Sequence, residues 1–184
     1  MNIIVKTTSG HIIVRPDTTW EKDSEDFFPP EFVTELSYTP VFFARISKPG
    51  RSVGEKFASR YYDGIGYGVL LYPENLMDGH ELSFAQACCL DHSSFLPAPF
   101  LEKTQAASFD VCKGTEVLAS FESPSLAEID AAIAEATRFV YIRTGDLLAI
   151  ELDGRKTLCN RSEGSVEVAT NVGGEPSMKF NIVM

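Results

Sequence analysis

The chain has no long hydrophobic run. None of its apolar stretches approaches the ~18–20 residues that span a bilayer. The N-terminal segment Met1 to Lys6 also lacks the long apolar stretch and the cleavage site of a signal peptide. We therefore expect a cytoplasmic protein with no membrane partner.

Positive charge is scarce as well. The chain has 16 Lys and Arg residues against 26 Asp and Glu, which gives a formal net charge of −10. Binding to the phosphates of nucleic acid requires clustered Lys and Arg. The charge balance therefore argues against nucleic acid as a partner, and the acidity is sufficiently explained as a source of solubility.

Cysteine is rare and irregularly spaced. The four cysteines are Cys88, Cys89, Cys112 and Cys159. Their spacing predicts reduced and mostly buried thiols rather than a disulfide framework. The cluster Cys88, Cys89, Asp91 and His92, with His80 upstream, lacks the paired ligand spacing of a zinc site. A reactive Cys89–His92 pair stays an open alternative, because no third orienting group is assigned.

What the chain does contain is the material for one domain. Its 184 residues are 44% hydrophobic, 23% charged and 11% aromatic. This is an ordinary composition for a soluble globular protein with a sizeable core. No internal repeat or low-complexity tract divides the chain, so we expect a single domain over residues 1–184.

The first half of the chain reads mostly as strands. Met1 to Arg15 predicts a β-hairpin with a turn near Gly10. Val41 to Ile46 is a continuous apolar run, which predicts a strand buried on both faces. A helical run over Glu55 to Asp63 and a second apolar strand over Gly64 to Met77 follow.

The second half carries the strongest helical pattern. Ser125 and Glu128 form a capping box, and an apolar stripe at 3–4 spacing continues to Val140. We therefore predict one long helix over residues 125–140. The other expected elements are a short helix over Ser83 to Cys89, a hairpin over Ala107 to Phe121, a hairpin turn at Leu152 to Lys156, and strands over Ser165 to Ala169 and Met178 to Val183.

Several segments together resemble the fumarylacetoacetate hydrolase (FAH) family. They are Arg15-Pro16-Asp17-Thr18-Thr19, the strand–turn–helix–strand order from Tyr38 to Met77, and Gly145-Asp146-Leu147. The resemblance covers roughly residues 12 to 160. It implies a β-rich α+β fold, an FAH-like mixed β-sheet roll or sandwich with one main helix and short helices. It also implies a homodimer, because family members commonly pair through this core.

The family's metal-binding residues are absent from the matching positions. In the family a Glu-x-Glu pair on one strand and an Asp on the next hold a divalent metal. The matching positions here read Thr39, Val41 and Leu70, and neither Val nor Leu has a ligand atom. The family's active-site Lys corresponds to Gln86, and the closing loop and a water-activating His have no counterpart. We therefore predict a degenerate, shortened member with no metal, no other cofactor and no catalytic residue.

A remnant of the family's pocket is expected to persist. The matching positions are Arg15, Asp17, Tyr72, Glu74 and Gln86. Glu74 stands where the family has an arginine, which reverses the charge at a place meant for anionic substrates. The Gly64-Ile-Gly-Tyr-Gly68 stretch is not a dinucleotide-binding loop, because no helix follows it.

Two classes of function remain open. The first is a non-catalytic homologue, a pseudoenzyme that binds a small carboxylic acid, regulates, or pairs with an active paralogue. The alternative is a diverged hydrolase, isomerase or decarboxylase that acts on small dicarbonyl or 2-keto acids through a relocated site. Fold analogy alone does not separate the two.

Overall fold

Two long antiparallel strands form the centre of the computed structural model, which describes residues 1–184. Strand β4 (Glu35–Ile46) and strand β5 (Tyr62–Pro73) pair along almost their whole length. Both are rich in β-branched and aromatic residues, which fit a pleated surface that is buried on both sides. Every other part of the fold is arranged around this pair.

Ten shorter strands complete two sheets. They are β1 (Asn2–Lys6), β2 (Ile12–Pro16), β3 (Trp20–Glu21), β6 (Ser94–Phe95), β7 (Phe109–Lys113), β8 (Glu116–Phe121), β9 (Leu147–Glu151), β10 (Lys156–Asn160), β11 (Ser165–Val172) and β12 (Glu175–Val183). The larger sheet has the order β2-β1-β9-β4-β5-β6-β3, with β10 also pairing with β4. The smaller sheet has the order β12-β11-β7-β8. The expected β-rich α+β fold is confirmed.

The larger sheet is buried on both faces. One face packs against the smaller sheet and the long helix in a cluster of 32 buried residues that includes Phe42 and Tyr67. The opposite face carries a second cluster of 10 buried residues that includes Val41, Phe43 and Leu70. Successive residues of a strand point to opposite faces, so the continuous apolar run of β4 supplies both clusters, as the sequence predicts.

Two of the three helices are shorter than the sequence patterns indicate, and the short helix predicted over Ser83 to Cys89 lies two residues earlier in the chain. The three are α1 (Glu55–Ala58), α2 (Glu81–Ala87) and α3 (Leu126–Ala136). The prediction of helix up to Asp63 is wrong, because Tyr62 already pairs with Ile46 in the sheet. The predicted end of α3 at Val140 is also too late. Thr137 ends that helix, and its hydroxyl accepts the Val53 N–H at 2.9 Å. The Ser125–Glu128 capping box is confirmed.

The expected hairpin turn at Leu152 to Lys156 is not a hairpin. Strands β9 and β10 do not pair with each other, because both pair with the same edge of β4. Pro40 lies between the two paired segments and has no N–H to donate, while its carbonyl accepts the Leu152 N–H at 2.9 Å. The proline therefore interrupts the ladder where one partner strand gives way to the next.

The remaining predicted strands are present, although some of their ends differ from the prediction. Hairpins β1–β2, β7–β8 and β11–β12 form where the sequence indicates them. The second apolar strand ends at Pro73 rather than Met77, because a turn of 3₁₀ helix occupies Glu74–Leu76. No helix of the structure is long and apolar enough to cross a membrane.

The glycine-rich stretch of β5 has a packing role. Gly66 and Gly68 lie on the same face of the strand, and each is approached closely by another part of the chain. A Cβ on Gly66 would lie 2.3 Å from the Phe43 ring, and a Cβ on Gly68 would lie 2.1 Å from the Phe95 carbonyl oxygen. Real Cβ atoms do not come this close to such groups, so these glycines make room for groups of the two neighbouring strands, Phe43 of β4 and Phe95 of β6.

We expect Gly68→Ala to destabilise the protein by about 1–3 kcal/mol, because the added methyl group has to displace backbone at Phe95. Urea denaturation of the purified proteins measures this change. Gly154→Ala is the matched control, since a Cβ there meets nothing within 4 Å. Equal loss of stability in the two variants would contradict the packing role.

Candidate functional site

The three positions matched to the family's metal ligands converge in space. Thr39 and Val41 are two residues apart on β4 and point to the same face, and Leu70 of β5 lies directly opposite Thr39. All three are at most 1% exposed. The structure therefore places the three side chains together, but they offer one hydroxyl and two hydrocarbon groups.

A carboxylate lies one strand away from these positions. Glu151 of β9 pairs with Val41 across the ladder, so its side chain projects from the same face of the sheet. Tyr72, two residues after Leu70, also lies on this face, and its hydroxyl donates to Glu151 Oε1 at 3.1 Å. The Thr8 N–H, in the turn between β1 and β2, donates to Glu151 Oε2 at 2.9 Å.

Burial changes the protonation behaviour of this pair. Burial raises the pKa of Glu151 above its ordinary value, although the hydrogen bonds from Thr8 and Tyr72 and the charges of Arg155 and Arg15 oppose the shift. Burial also raises the pKa of Tyr72, which keeps its phenol protonated. A carboxylate that is held in reach of a cleft and is easier to protonate than usual is suited to acid–base exchange with a ligand.

Glu151 lines a cleft of about 690 Å³, which we call the β4–β5 cleft. Thr39, Phe84, Glu151 and Arg155 are among the residues that line it. The Thr39 hydroxyl is buried and has no hydrogen-bond partner in the protein. Because a buried hydroxyl without a partner costs free energy, it marks a place where a ligand atom would complete the hydrogen bonding.

Arg155 supplies the positive charge of the β4–β5 cleft. Its Nε donates to Glu74 Oε2 at 2.9 Å, and Ser37 Oγ donates to the same carboxylate oxygen at 2.6 Å. The guanidinium lies over the rings of Tyr72 and Phe84, 5.8 and 5.9 Å from their centroids. Its terminal nitrogens make no hydrogen bond within the protein, which leaves them available to an anionic ligand.

The five pocket residues predicted from the sequence are not all in one place. Tyr72 and Glu74 contact the residues of the β4–β5 cleft, as described above. Arg15 is fully buried beneath Tyr72, 4.8 Å from its ring centroid, and donates to the Leu71 carbonyl at 3.0 Å. Asp17 is exposed and lies 3.6 Å from the N-terminal ammonium group, and Gln86 lines a different cleft.

Thr39, Glu151 and Arg155 are cleft residues that sequence reasoning did not assign to a binding role. From the sequence, Thr39 was considered only as a position where the family has a metal ligand and this chain does not. Glu151 ends a strand of buried residues, Leu147–Glu151, and a carboxylate at the end of such a run is the one local signal that pointed to it. Arg155 lies in the segment interpreted as a hairpin turn, where a charged side chain looks solvent-exposed.

The residues present do not fit the divalent metal that the family resemblance implies. Mg²⁺ and Mn²⁺ prefer several oxygen ligands, mostly carboxylates and waters. Thr39, Val41 and Leu70 supply no carboxylate, and no group of three or more His, Cys, Asp or Glu side chains is arranged to hold a metal ion. The side chains of this cleft therefore do not form a site for such a metal.

A second cleft of about 590 Å³ contains part of the cysteine–histidine cluster. Cys89 and His92 both line it, but His92 Nδ1 lies 3.4 Å from Glu21 Oε2, and the Cys89 thiol contacts the Ala85 carbonyl. No hydrogen bond joins Cys89 to His92. Cys88 is buried, and burial raises the pKa of its thiol to about 11, so it is a poor nucleophile.

Comparison with known proteins gives structural matches only. No family model matches the sequence, and a search of curated proteins found no significant match. A Yersinia pestis protein described as an FAH family protein matches with a TM-score of 0.82 at 14% identity, over 99% of this chain and 92% of that chain. Fumarylpyruvate hydrolase from Pseudomonas aeruginosa, solved with Mn²⁺ and pyruvate, matches with a TM-score of 0.81 at 13% identity, over 100% and 90%. The 2-hydroxyhepta-2,4-diene-1,7-dioate isomerase from Mycobacterium marinum matches with a TM-score of 0.80 at 13% identity, over 99% and 74%.

The chain therefore has the fold of FAH family proteins, which confirms the fold that the sequence resemblance implies. The matched proteins include a hydrolase and an isomerase. At identities of 13–14% the likeness shows the fold, and each protein's chemistry depends on its own site residues. The expected shortening of the chain stays a prediction.

The environment of Glu151 predicts a distinct pH dependence of stability. Its pKa is raised in the folded state above the unfolded value of about 4.3. The folded protein then binds more protons than the unfolded chain between the two values. The stabilising contribution of protonated Glu151 is complete below the unfolded pKa and is lost as pH rises through the folded pKa.

Glu151→Gln removes this titration, so its stability relative to the unaltered protein should increase as pH rises from about 4 toward neutrality. Urea denaturation at a series of pH values measures the difference. Glu116→Gln, at an exposed position on β8, is the control and should show no such trend. A constant difference between Glu151→Gln and the unaltered protein across this range would contradict the raised pKa.

Proposed function

We propose that this chain is a non-catalytic protein of FAH fold that binds a small carboxylic acid in the β4–β5 cleft. The observation that carries the proposal is that the three converging positions, Thr39, Val41 and Leu70, offer no carboxylate, while the hydroxyl of one of them, Thr39, has no hydrogen-bond partner. A site without metal ligands has lost the Lewis acid that would polarise a dicarbonyl substrate. The cleft and its polar groups remain suited to binding.

The charges and contacts of the cleft favour a small acid as the ligand. The terminal nitrogens of Arg155 can donate two parallel hydrogen bonds to a carboxylate. The Thr39 hydroxyl donates to a second oxygen of the ligand, and Phe84, on which the Tyr72 ring stacks, bounds the apolar side. The Pseudomonas aeruginosa fumarylpyruvate hydrolase was solved with pyruvate, a molecule of this class. That likeness supports the choice of pyruvate as a probe.

A second candidate function is favoured by Glu151. A carboxylate with a raised pKa, hydrogen-bonded to Tyr72 and facing the cleft, is suited to take a proton from carbon next to a keto group without a metal. The chain would then be a diverged enzyme acting on small 2-keto or dicarbonyl acids. This activity would depend on Glu151 rather than on Thr39, Val41 and Leu70.

The proposals about assembly concern a different property. We propose a homodimer, on the sequence argument that proteins of this family commonly pair through the sheet-rich core. Pairing with an active paralogue is the other arrangement that the pseudoenzyme hypothesis allows.

We expect no turnover of acetylpyruvate, oxaloacetate or fumarylacetoacetate by the purified protein with Mg²⁺ or Mn²⁺ present. Loss of one oxyanion-stabilising donor typically slows a reaction about 10²–10³-fold, and the metal contributes several kcal/mol more. A spectrophotometric assay measures the rate. Turnover above about 1 s⁻¹ would contradict the non-catalytic proposal. Abolition of that turnover by Glu151→Gln would establish the second candidate.

We also expect pyruvate to bind the metal-free protein, as measured by isothermal titration calorimetry with EDTA present. Thr39→Val keeps the shape of the side chain but removes its hydroxyl, so binding should weaken about fivefold. Arg155→Gln removes a charged donor and should weaken binding about tenfold or more. Arg60→Gln, at an exposed position outside the cleft, is the matched control. Equal affinity in all four proteins, or no saturable binding, would contradict the proposed ligand class.

A further inference from the structure

The second cleft differs in character from the β4–β5 cleft, and we call it the aromatic–acidic cleft. Four phenylalanines contribute to its walls, namely Phe27, Phe28, Phe32 and Phe95. Phe27 and Phe95 are buried in the core, whereas Phe28 and Phe32 are 69% and 60% exposed. Its volume of about 590 Å³ is within the range of about 300–1,000 Å³ that is usual for small-molecule sites.

Every full charge that lines this cleft is negative. The carboxylates are Glu21, Glu25, Asp26 and Asp91, and no Lys or Arg lines the cleft. Glu25, Asp26 and Asp91 form no ion pair in the structure. Asp26 does accept two hydrogen bonds from Asn181, which fixes its position.

Glu21 adds a buried charge to this set. Its side chain is 9% exposed, and its Oε1 accepts the Asp23 N–H at 2.9 Å. Its Oε2 faces only His92 Nδ1, at 3.4 Å. A buried carboxylate is costly unless a positive charge is near. Low-dielectric walls also concentrate the field of like charges within a cleft, which attracts counter-ions. The charges of this cleft therefore favour a cationic ligand over an anionic one.

The exposed aromatic rings specify what kind of cation fits. Phe28 and Phe32 are exposed residues that line the cleft, and an organic ammonium ion is attracted to the face of an aromatic ring. The backbone of Phe32 is held in place, because its carbonyl accepts a hydrogen bond from Asn75 Nδ2 at 2.9 Å. A metal ion is a poorer match, since no three carboxylates or other ligands converge.

We propose that the aromatic–acidic cleft binds a small organic ammonium ion, with the cationic group between the exposed phenylalanines and the carboxylates. The inference is independent of the acid-binding function proposed above, because no residue lines both clefts. It also gives a role to the segment around His92, which the β4–β5 cleft does not use. The chain would then carry two sites of opposite charge preference.

Choline and its neutral isostere 3,3-dimethylbutan-1-ol test the proposal, because the two molecules differ in charge but hardly in shape. Isothermal titration calorimetry of the full chain at low ionic strength measures both affinities. We expect choline to bind about tenfold or more tightly than the alcohol, which corresponds to 1.4 kcal/mol. The preference should decrease as salt is added, since added ions screen the carboxylates.

Two pairs of variants locate the binding. Phe32→Ala should weaken choline binding about fivefold. Phe139 is a similarly exposed phenylalanine that lines neither cleft, so Phe139→Ala should leave the affinity for choline unchanged. Asp91→Asn should weaken binding by a similar factor, and Glu116→Gln should not. Because Phe32, Asp91 and both control residues are exposed, these substitutions are expected to preserve the fold.

Three results would overturn the proposal. They are equal affinity for choline and the alcohol, no saturable binding of choline, and binding that Phe32→Ala and Asp91→Asn leave intact. Light scattering on the same samples tests whether a second copy of the chain occupies the cleft. A dimer that Phe32→Ala dissociates into monomers would assign the exposed rings to a second copy of the chain instead of a ligand. Pyruvate binding is measured separately, so failure here does not affect the acid-binding proposal.

Discussion

The backbone ladder between β4 and β5 is the constraint on which the rest of the structure depends. Because residues alternate between the two faces of a strand, one fixed register decides what each face carries. One set of side chains, including Phe42 and Tyr67, enters the core against the smaller sheet. The other set, including Val41 and Leu70, forms the floor beneath the β4–β5 cleft. A shift of this register by one residue would exchange the two sets of side chains between the faces of the sheet.

The same ladder explains why Thr39, Val41 and Leu70 lie together without a metal ligand among them. They meet on one face because strand pairing, rather than metal binding, brings them together. Hydrophobic side chains at such positions remove the cost of burying carboxylates that have no metal partner. Glu151 retains a carboxylate on this face only with hydrogen bonds from Tyr72 and Thr8.

The elements of the fold were largely predictable, and their ends and partners were not. Period-two patterns located the hairpins, and the Ser125–Glu128 box located the start of α3. The partner of β10 could not be predicted from local sequence, because β10 pairs with β4, a strand distant in the chain that is long enough to accept both β9 and β10 on one edge. For the site, the alignment to the family found Thr39, Val41 and Leu70. Glu151 and Arg155 were missed, because they reach the cleft through the pairing of β9 and β10 with one edge of β4, which the sequence did not predict. The prediction for Gln86 was wrong, because the short helix α2 directs this residue to the second cleft instead of the β4–β5 cleft.

The break in pairing at Pro40 has a consequence for how this fold can vary. After Leu152, the segment between β9 and β10 leaves the sheet at a point where β4 offers no N–H, so lengthening the segment there breaks no ladder bond. Loop closure makes such growth cheap, since doubling a flexible loop adds about 0.6 kcal/mol. Because Glu151 and Arg155 border this segment, an insertion there would grow directly over the mouth of the cleft. The proline thus marks a point where the chain can gain or lose a cover while its sheet stays intact.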